Sequence, residues 1–299
     1  MHETLLQKLD ETELDARIRK AYEALQPCRV CPRKCGAKRL DGERGFCGMG
    51  RELEISSYGP HFGEESVLVG ASGSGTIFLT GCSLRCVFCQ NYDISQLARG
   101  YEVSAEHLAG VMIELQTRGC HNINFVTPTH FTPQILEALK IARAQGLRVP
   151  LVYNCGGYES VETLKLLDGV IDIYMPDAKY ADSEVAERFS GAPDYPEVIK
   201  AALKEMHRQV GDLVVENGVA VKGLLIRHLV LPNGLAGTEE IMSFIASELS
   251  RDSYVNIMAQ YRPMFKAGGF PDINRRPTTQ EFLDAVSAAR KAGLRVRQE

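Results

Sequence analysis

"TIFLTGCSLRCVFCQN", residues 76–91, joins a short apolar, β-branched run to three cysteines, Cys82, Cys86 and Cys89. The run 76–80 reads as a buried strand, so the cysteines fall at a strand's carboxyl end. The same pattern recurs outward from it. Strands are predicted over 123–127, 149–153, 170–175, 223–231 and 254–259. Helices are predicted between and beyond them, over 104–118, 132–145, 160–168, 182–190, 195–210, 238–250 and 278–292, with Ser104 and Thr132-Pro133 as start signals. Six βα units in series imply a parallel sheet that curls partly or wholly into a barrel, a partial (β/α)6 TIM-like arrangement. In such folds the chemistry gathers just after the strands. Those positions hold the three cysteines, "TPTHF" (127–131), "NCGGY" (154–158), "PDAKY" (176–180), "PNG" (232–234) and "QYRP" (260–263).

At 299 residues and 44% hydrophobic content the chain is long enough for one α/β core with a small appendage. A net charge of -4 gives no global reason to expect nucleic acid or an anionic membrane as partner. The first twenty residues are charged throughout, unlike a secretory leader, and no stretch reaches the roughly 18 apolar residues of a spanning helix. A soluble, cytoplasmic protein is expected. In that compartment nine cysteines point to metal or redox chemistry rather than disulfides.

Thiolates commonly close metal sites in fours. Three from one loop leave one iron of a four-iron, four-sulfur cube open to a ligand from outside the protein. The competing reading, a zinc knuckle completed by a distant histidine, fits poorly with a loop that follows the first strand of a βα series. "GCSLRCVFCQN" (81–91), with its C-x3-C-x2-C spacing, Phe88 before the last cysteine and Asn91 after it, resembles the signature of radical S-adenosylmethionine enzymes. The segments "HNINFVTPTHF", "VYNCGGYE", "DIYMPDAKY", "LLIRHLVLPNG" and "MAQYRP" narrow the resemblance to the group related to pyruvate formate-lyase activating enzyme.

The resemblance implies a [4Fe-4S] cluster on Cys82, Cys86 and Cys89, with S-adenosylmethionine chelating the open iron. Reductive cleavage would then give a 5'-deoxyadenosyl radical that abstracts hydrogen from a substrate. Asp177 and Lys179 match the D-x-K pattern that helps hold the cofactor, and Arg227 matches the arginine of the following strand motif. Asn154 stands where activases carry an asparagine before glycine. Where activases carry Gly-Gly-Glu for the cofactor's ammonium, this chain has Thr127 to His130; Thr127 and Thr129 offer hydroxyls without the charge. His130 is read either as a cofactor or substrate contact or as a histidine satisfied at the barrel rim. An activase also implies a glycyl-radical enzyme as docking partner and an electron donor such as flavodoxin or ferredoxin. The alternatives are radical modification of another peptide, nucleic acid or metabolite, or a non-catalytic iron–sulfur electron carrier.

Residues 1–50 read as a separate appendage on a core of 51–299. Cys28, Cys31, Cys35 and Cys47 give four thiolates in a segment with no apolar periodicity, which suits tetrahedral zinc or a closed iron–sulfur cluster. Arg29, Arg33, Lys34, Lys38 and Arg39 would offset the thiolate charge or form a solvated face. Cys120 and Cys155 are expected to pack as small buried residues, and Asp172 as an ordinary surface or cap residue.

Overall fold

The computed structural model describes residues 4–294 and 296–297. Its strands are β1 (Leu53–His61), β2 (Ser74–Leu79), β3 (Tyr101–Val103), β4 (Ile123–Val126), β5 (Leu151–Cys155), β6 (Ile173–Pro176), β7 (Val214–Glu216), β8 (Val219–Leu229), β9 (Tyr254–Met258) and β10 (Val296–Arg297). The helices that matter here are α1 (Leu5–Lys8), α2 (Glu11–Glu23), α3 (Ser66–Val69), α4 (Tyr92–Ser95), α5 (Ala105–Thr117), α6 (Thr132–Ala144), α7 (Val161–Leu166), α8 (Ser183–Ser190) and α9 (Tyr195–Val210). Two more, α10 (Thr238–Phe244), which runs on into a wide turn, and α11 (Thr279–Lys291), complete the set.

The sheet runs β10-β9-β8-β6-β5-β4-β2-β1-β3. From β2 through β10 the neighbours are parallel, which bears out the expected parallel α/β sheet, and the six predicted strands are β2, β4, β5, β6, β8 and β9. β1 and β3 extend the β2 edge antiparallel. No pairing joins β3 to β10 among the described residues, so the barrel is partial. The step from β6 to β8 skips β7, which folds back on β8 through Asn217-Gly218, both at positive φ, as a tight two-residue hairpin requires.

The parallel strands β2, β4, β5, β6 and β9 are buried on both faces almost throughout, hence the continuous apolar runs in the sequence. Helix starts follow local chemistry: the Ser104 side chain accepts from the His107 N–H at the start of α5, and Pro133 occupies the first turn of α6. Inside the barrel Leu68 of α3 packs with Val152, Ile173, Met175, Leu225 and Tyr254, plugging the space beneath the strand ends. The first fifty residues join this body through Leu6, Leu14, Ala21, Cys47 and Met49 of the main hydrophobic cluster, and also form a small cluster of their own around Leu25, Cys28 and Val30. Asp172 is buried, contrary to the surface reading. Its carboxylate accepts from the N–H groups of Leu5 (2.8 Å) and Leu151 (2.9 Å), tying the amino-terminal segment to the sheet. No helix among the described residues is long and apolar enough to cross a membrane.

Candidate active site

At the carboxyl ends of the parallel strands lies a cavity of about 390 Å³, lined by all three cysteines of the 82–89 loop together with Thr127, Asn154, Asp177, Lys179 and Arg227. Local chemistry fixes the cysteine loop. Gly81 turns it at φ +74°, where an added Cβ would stand 2.8 Å from the Cys47 carbonyl oxygen and 2.6 Å from Met49 Cγ. Only glycine fits there without displacing backbone. Phe88 is buried with edge-on aromatic neighbours, Tyr261 at 5.5 Å and Tyr180 and Phe189 at 6.3 Å. The Val87 N–H donates to the Phe189 carbonyl, and the Lys266 N–H donates to that of Val87. The aromatic residue before the last cysteine thus anchors the loop to elements far along the chain.

Each sulfur has a polar neighbour. The N–H groups of Leu84 (3.3 Å) and Arg85 (3.5 Å) approach Cys82, the Ser190 hydroxyl lies 3.1 Å from Cys86, and the Ser95 hydroxyl lies 3.1 Å from Cys89. Burial, followed by the neighbouring Cys86, pushes the Cys82 thiol up to about 12, and burial also raises that of Cys89. Thiolates so desolvated need a cationic centre, and donors to sulfur are what stabilise cluster-bound thiolates. The donor set therefore fits an iron–sulfur cluster, which Cys82, Cys86 and Cys89 would hold beside the cavity.

Opposite the cysteines stands a charge network. Asp177 accepts from Lys179 Nζ at 2.6 Å and from Arg227 Nε at 2.7 Å, and Arg227 Nη2 donates to Asn154 Oδ1 at 2.7 Å. Backbone bonds hold the frame: Asp177 N–H to Cys155 O, Ala178 N–H to Arg227 O, and Lys179 N–H to the Tyr195 hydroxyl. Burial alone would raise Asp177, but the Arg227 and Lys179 charges outweigh it and hold the carboxyl below its usual range. Burial likewise disfavours charge on Lys179, yet the Asp177 carboxylate wins and keeps the ammonium protonated. Two donors of Lys179 stay uncommitted to Asp177, enough to meet a carboxylate or ribose hydroxyl.

The stretch 127–130 divides. Thr127 lines the cavity and holds φ +60°, a costly conformation for a β-branched residue and so a mark of local constraint. Thr129 and His130 are buried and are not among the residues that line the cavity. The Thr129 hydroxyl donates to Glu159 at 2.7 Å. His130 is fully enclosed, and burial followed by the Arg39 charge drops it to about 3, leaving a neutral ring whose Nε2–H donates to the Thr80 carbonyl at 2.7 Å. Its own carbonyl accepts from Arg39 Nη1 at 2.7 Å. The missing acidic residue of that stretch has no replacement there.

Sequence reasoning overlooked the cavity's other acidic wall. His61 and Glu64, ahead of the cysteine motif, line it, and Glu64 Oε2 stands 3.7 Å from Arg227 Nη1. Burial raises the Glu64 carboxyl although Arg227 opposes it. The signal available was the "HFGEE" run (61–65), with adjacent carboxylates between the end of β1 and the start of α3. Cys155 and Cys120 are buried as expected, and Cys155 also touches the cavity.

A family model described as the radical SAM superfamily matches residues 76–230, more than half of the chain. The chain is similar to the protein MJ0674 of Methanocaldococcus jannaschii, 37% identical over 94% of this chain and 79% of that one. It is also similar to the pyruvate formate-lyase-activating enzyme of Clostridium pasteurianum, 28% identical over 64% of this chain and 74% of that one. Among solved structures, a radical SAM methyltransferase from Sphaerobacter thermophilus superposes with a TM-score of 0.52 at 12% identity, over 76% of this chain and 66% of that one, a likeness of fold alone. From the cysteine loop, the parallel half-barrel and these matches together, the chain belongs to the radical SAM superfamily, whose members are enzymes that use a [4Fe-4S] cluster and S-adenosylmethionine for radical chemistry.

Proposed function

We propose that Cys82, Cys86 and Cys89 hold the cluster and that Asp177, Lys179, Arg227, Asn154 and Thr127 form the S-adenosylmethionine site of an activase-like enzyme that abstracts hydrogen from a substrate presented at the barrel mouth. The observation that carries this reading is the half-buried Asp177–Lys179–Arg227–Asn154 network facing the same cavity as the three cysteines. A bare electron carrier has no use for such a network. Bound there, the cluster and its cofactor supply one-electron cleavage of the sulfonium to methionine and a hydrogen-abstracting 5'-deoxyadenosyl group. In this reading Asp177 orients two cations rather than meeting the cofactor itself. Lys179 supplies donors to the cofactor's carboxylate, while Arg227 fixes the Asn154 amide. The cofactor's ammonium meets the Thr127 region without a carboxylate in that loop. The relationship to an activating enzyme supports a glycyl-radical protein as substrate.

The test is anaerobic, reduced protein given S-adenosylmethionine alone. Release of 5'-deoxyadenosine and methionine is expected. Asp177→Asn, which frees Lys179 and Arg227 from their anchor, should keep the iron and lower product formation by about 10- to 150-fold, the equivalent of one charge-assisted bond. Cleavage absent from a fully loaded, reduced wild type, or indifferent to Asp177, refutes the assignment.

A further inference from the structure

The four amino-terminal cysteines are not a remote appendage. Cys28, Cys31 and Cys47 are buried and Cys35 is exposed. Gly45 leaves room between sulfurs, since a Cβ there would lie 3.3 Å from Cys35 Sγ and 3.6 Å from Cys47 Sγ. Beside them Arg39 is completely buried. Its Nε donates to the Gly50 carbonyl (2.8 Å) and its Nη1 to that of His130, while its Nη2 is buried with no partner. An enclosed guanidinium with a spare donor beside four thiols implies an anionic occupant, as a thiolate-ligated metal centre is. A four-iron cube offers a separate iron to each of the four thiolates.

This group also touches the first cysteine loop directly. The Cys82 N–H donates to the Cys47 carbonyl at 3.4 Å, Arg85 Nη1 donates to the Phe46 carbonyl at 3.1 Å, and Arg33 Nε donates to the Ser83 carbonyl at 2.9 Å. A ligand of one group is thus one hydrogen bond from a ligand of the other. Arg29, Lys34 and Lys38 are exposed, as is Cys35, and the segment stays basic on a chain of net charge -4 although exposed Asp41 and Glu43 share it, the Glu43 carboxylate accepting from the Lys38 N–H at 2.8 Å.

We propose that Cys28, Cys31, Cys35 and Cys47 hold a second iron–sulfur cluster, and that it is the electron port of the enzyme, reduced by an acidic low-potential one-electron carrier that docks on Arg29, Lys34 and Lys38. The carrier gives up one electron, the amino-terminal centre gains it, and it is re-oxidised as the electron passes to the cluster on Cys82, Cys86 and Cys89; no proton or atom moves. The port rests on the function proposed above, but its metal content is measured without reference to cofactor cleavage, so either can fail alone.

A chain carrying Cys82→Ala, Cys86→Ala and Cys89→Ala, loaded anaerobically, should hold about four irons and four sulfides per chain and give a paramagnetic signal on reduction. About one zinc without iron, or neither metal, overturns the second cluster. Should that chain fail to fold, Cys28→Ser/Cys47→Ser in the otherwise intact protein gives the same answer: iron falling from about eight to about four supports the proposal, and unchanged iron overturns it. For the port, stopped-flow reduction of the loaded wild type by photoreduced flavodoxin at low salt is compared with Arg29→Glu/Lys34→Glu/Lys38→Glu. The reversal should slow reduction about tenfold or more and remove its salt dependence, while reduction by photoreduced deazaflavin stays the same. Equal rates with flavodoxin overturn the docking face.

Discussion

Glu159 sits behind the cavity with its carboxylate accepting from the Thr129 hydroxyl (2.7 Å) and the Tyr153 hydroxyl (3.1 Å). Burial raises it from 4.5 to about 7, outweighing those bonds. A carboxyl raised in the folded state favours folding in its neutral form. The stability it confers is fully present below about pH 4.5 and is lost as pH rises through about 7. At about 1.36 kcal/mol per unit the whole loss is about 3 kcal/mol, of which about 2.5 kcal/mol falls between pH 5 and pH 8. Glu159→Gln removes the titration and keeps the shape. Its carbonyl can accept from Thr129, and its amide can donate to the Tyr153 oxygen once that hydroxyl turns to Thr132, 3.4 Å away. With about 2.1 cal/mol/K of unfolding entropy per residue, the 299-residue chain converts 2.5 kcal/mol into a Tm difference of roughly 4 °C. Scanning calorimetry of both loaded proteins should therefore show the variant gaining on the wild type by about 4 °C between pH 5 and pH 8. Parallel pH curves, or a wild type that gains on the variant, refute a buried, protonated Glu159.

Two further predictions concern the cysteine loop. Phe88→Ala removes the ring that Tyr180, Phe189 and Tyr261 enclose and should cost about 3–5 kcal/mol, read as lowered Tm and faster iron loss to a chelator; unchanged retention would mean that the ring does not anchor the loop. Gly81→Ala forces a Cβ against the Cys47 carbonyl at 2.8 Å and should cost about 2 kcal/mol or more. Iron per chain should fall with it, and full loading with wild-type stability would contradict the contact between the two cysteine groups.

Much of this was legible in the sequence because the decisive signals are local. Apolar runs of four to six residues with cysteines, Asp177 or Asn154 directly after them located both the strands and the cavity wall. What escaped was set by tertiary contact. β1 is a mixed "LEISSYGPH" strand whose strand character comes from pairing with β2 and β3, and β10 spans two of the described residues. Arg39 read as part of a basic run, and only the fold encloses it. Thr129 and His130 looked like site residues because they follow β4 immediately, but the chain enters a short turn there and carries their side chains behind the strand ends. Glu64 reaches the cavity from the opposite side of the sequence motif, where spacing carries no information about approach.

Phe88 bears on how the protein is made. The three cysteines leave the ribosome early, whereas Tyr261 and Lys266, which clasp their loop, follow roughly 170 residues later. At about 5–20 residues per second that is an interval of roughly 9–35 s, during which the thiols are translated but their aromatic seat does not exist. Iron delivered in that interval would meet an unformed site, so the proposed cluster is expected to load only after Lys266 has been made.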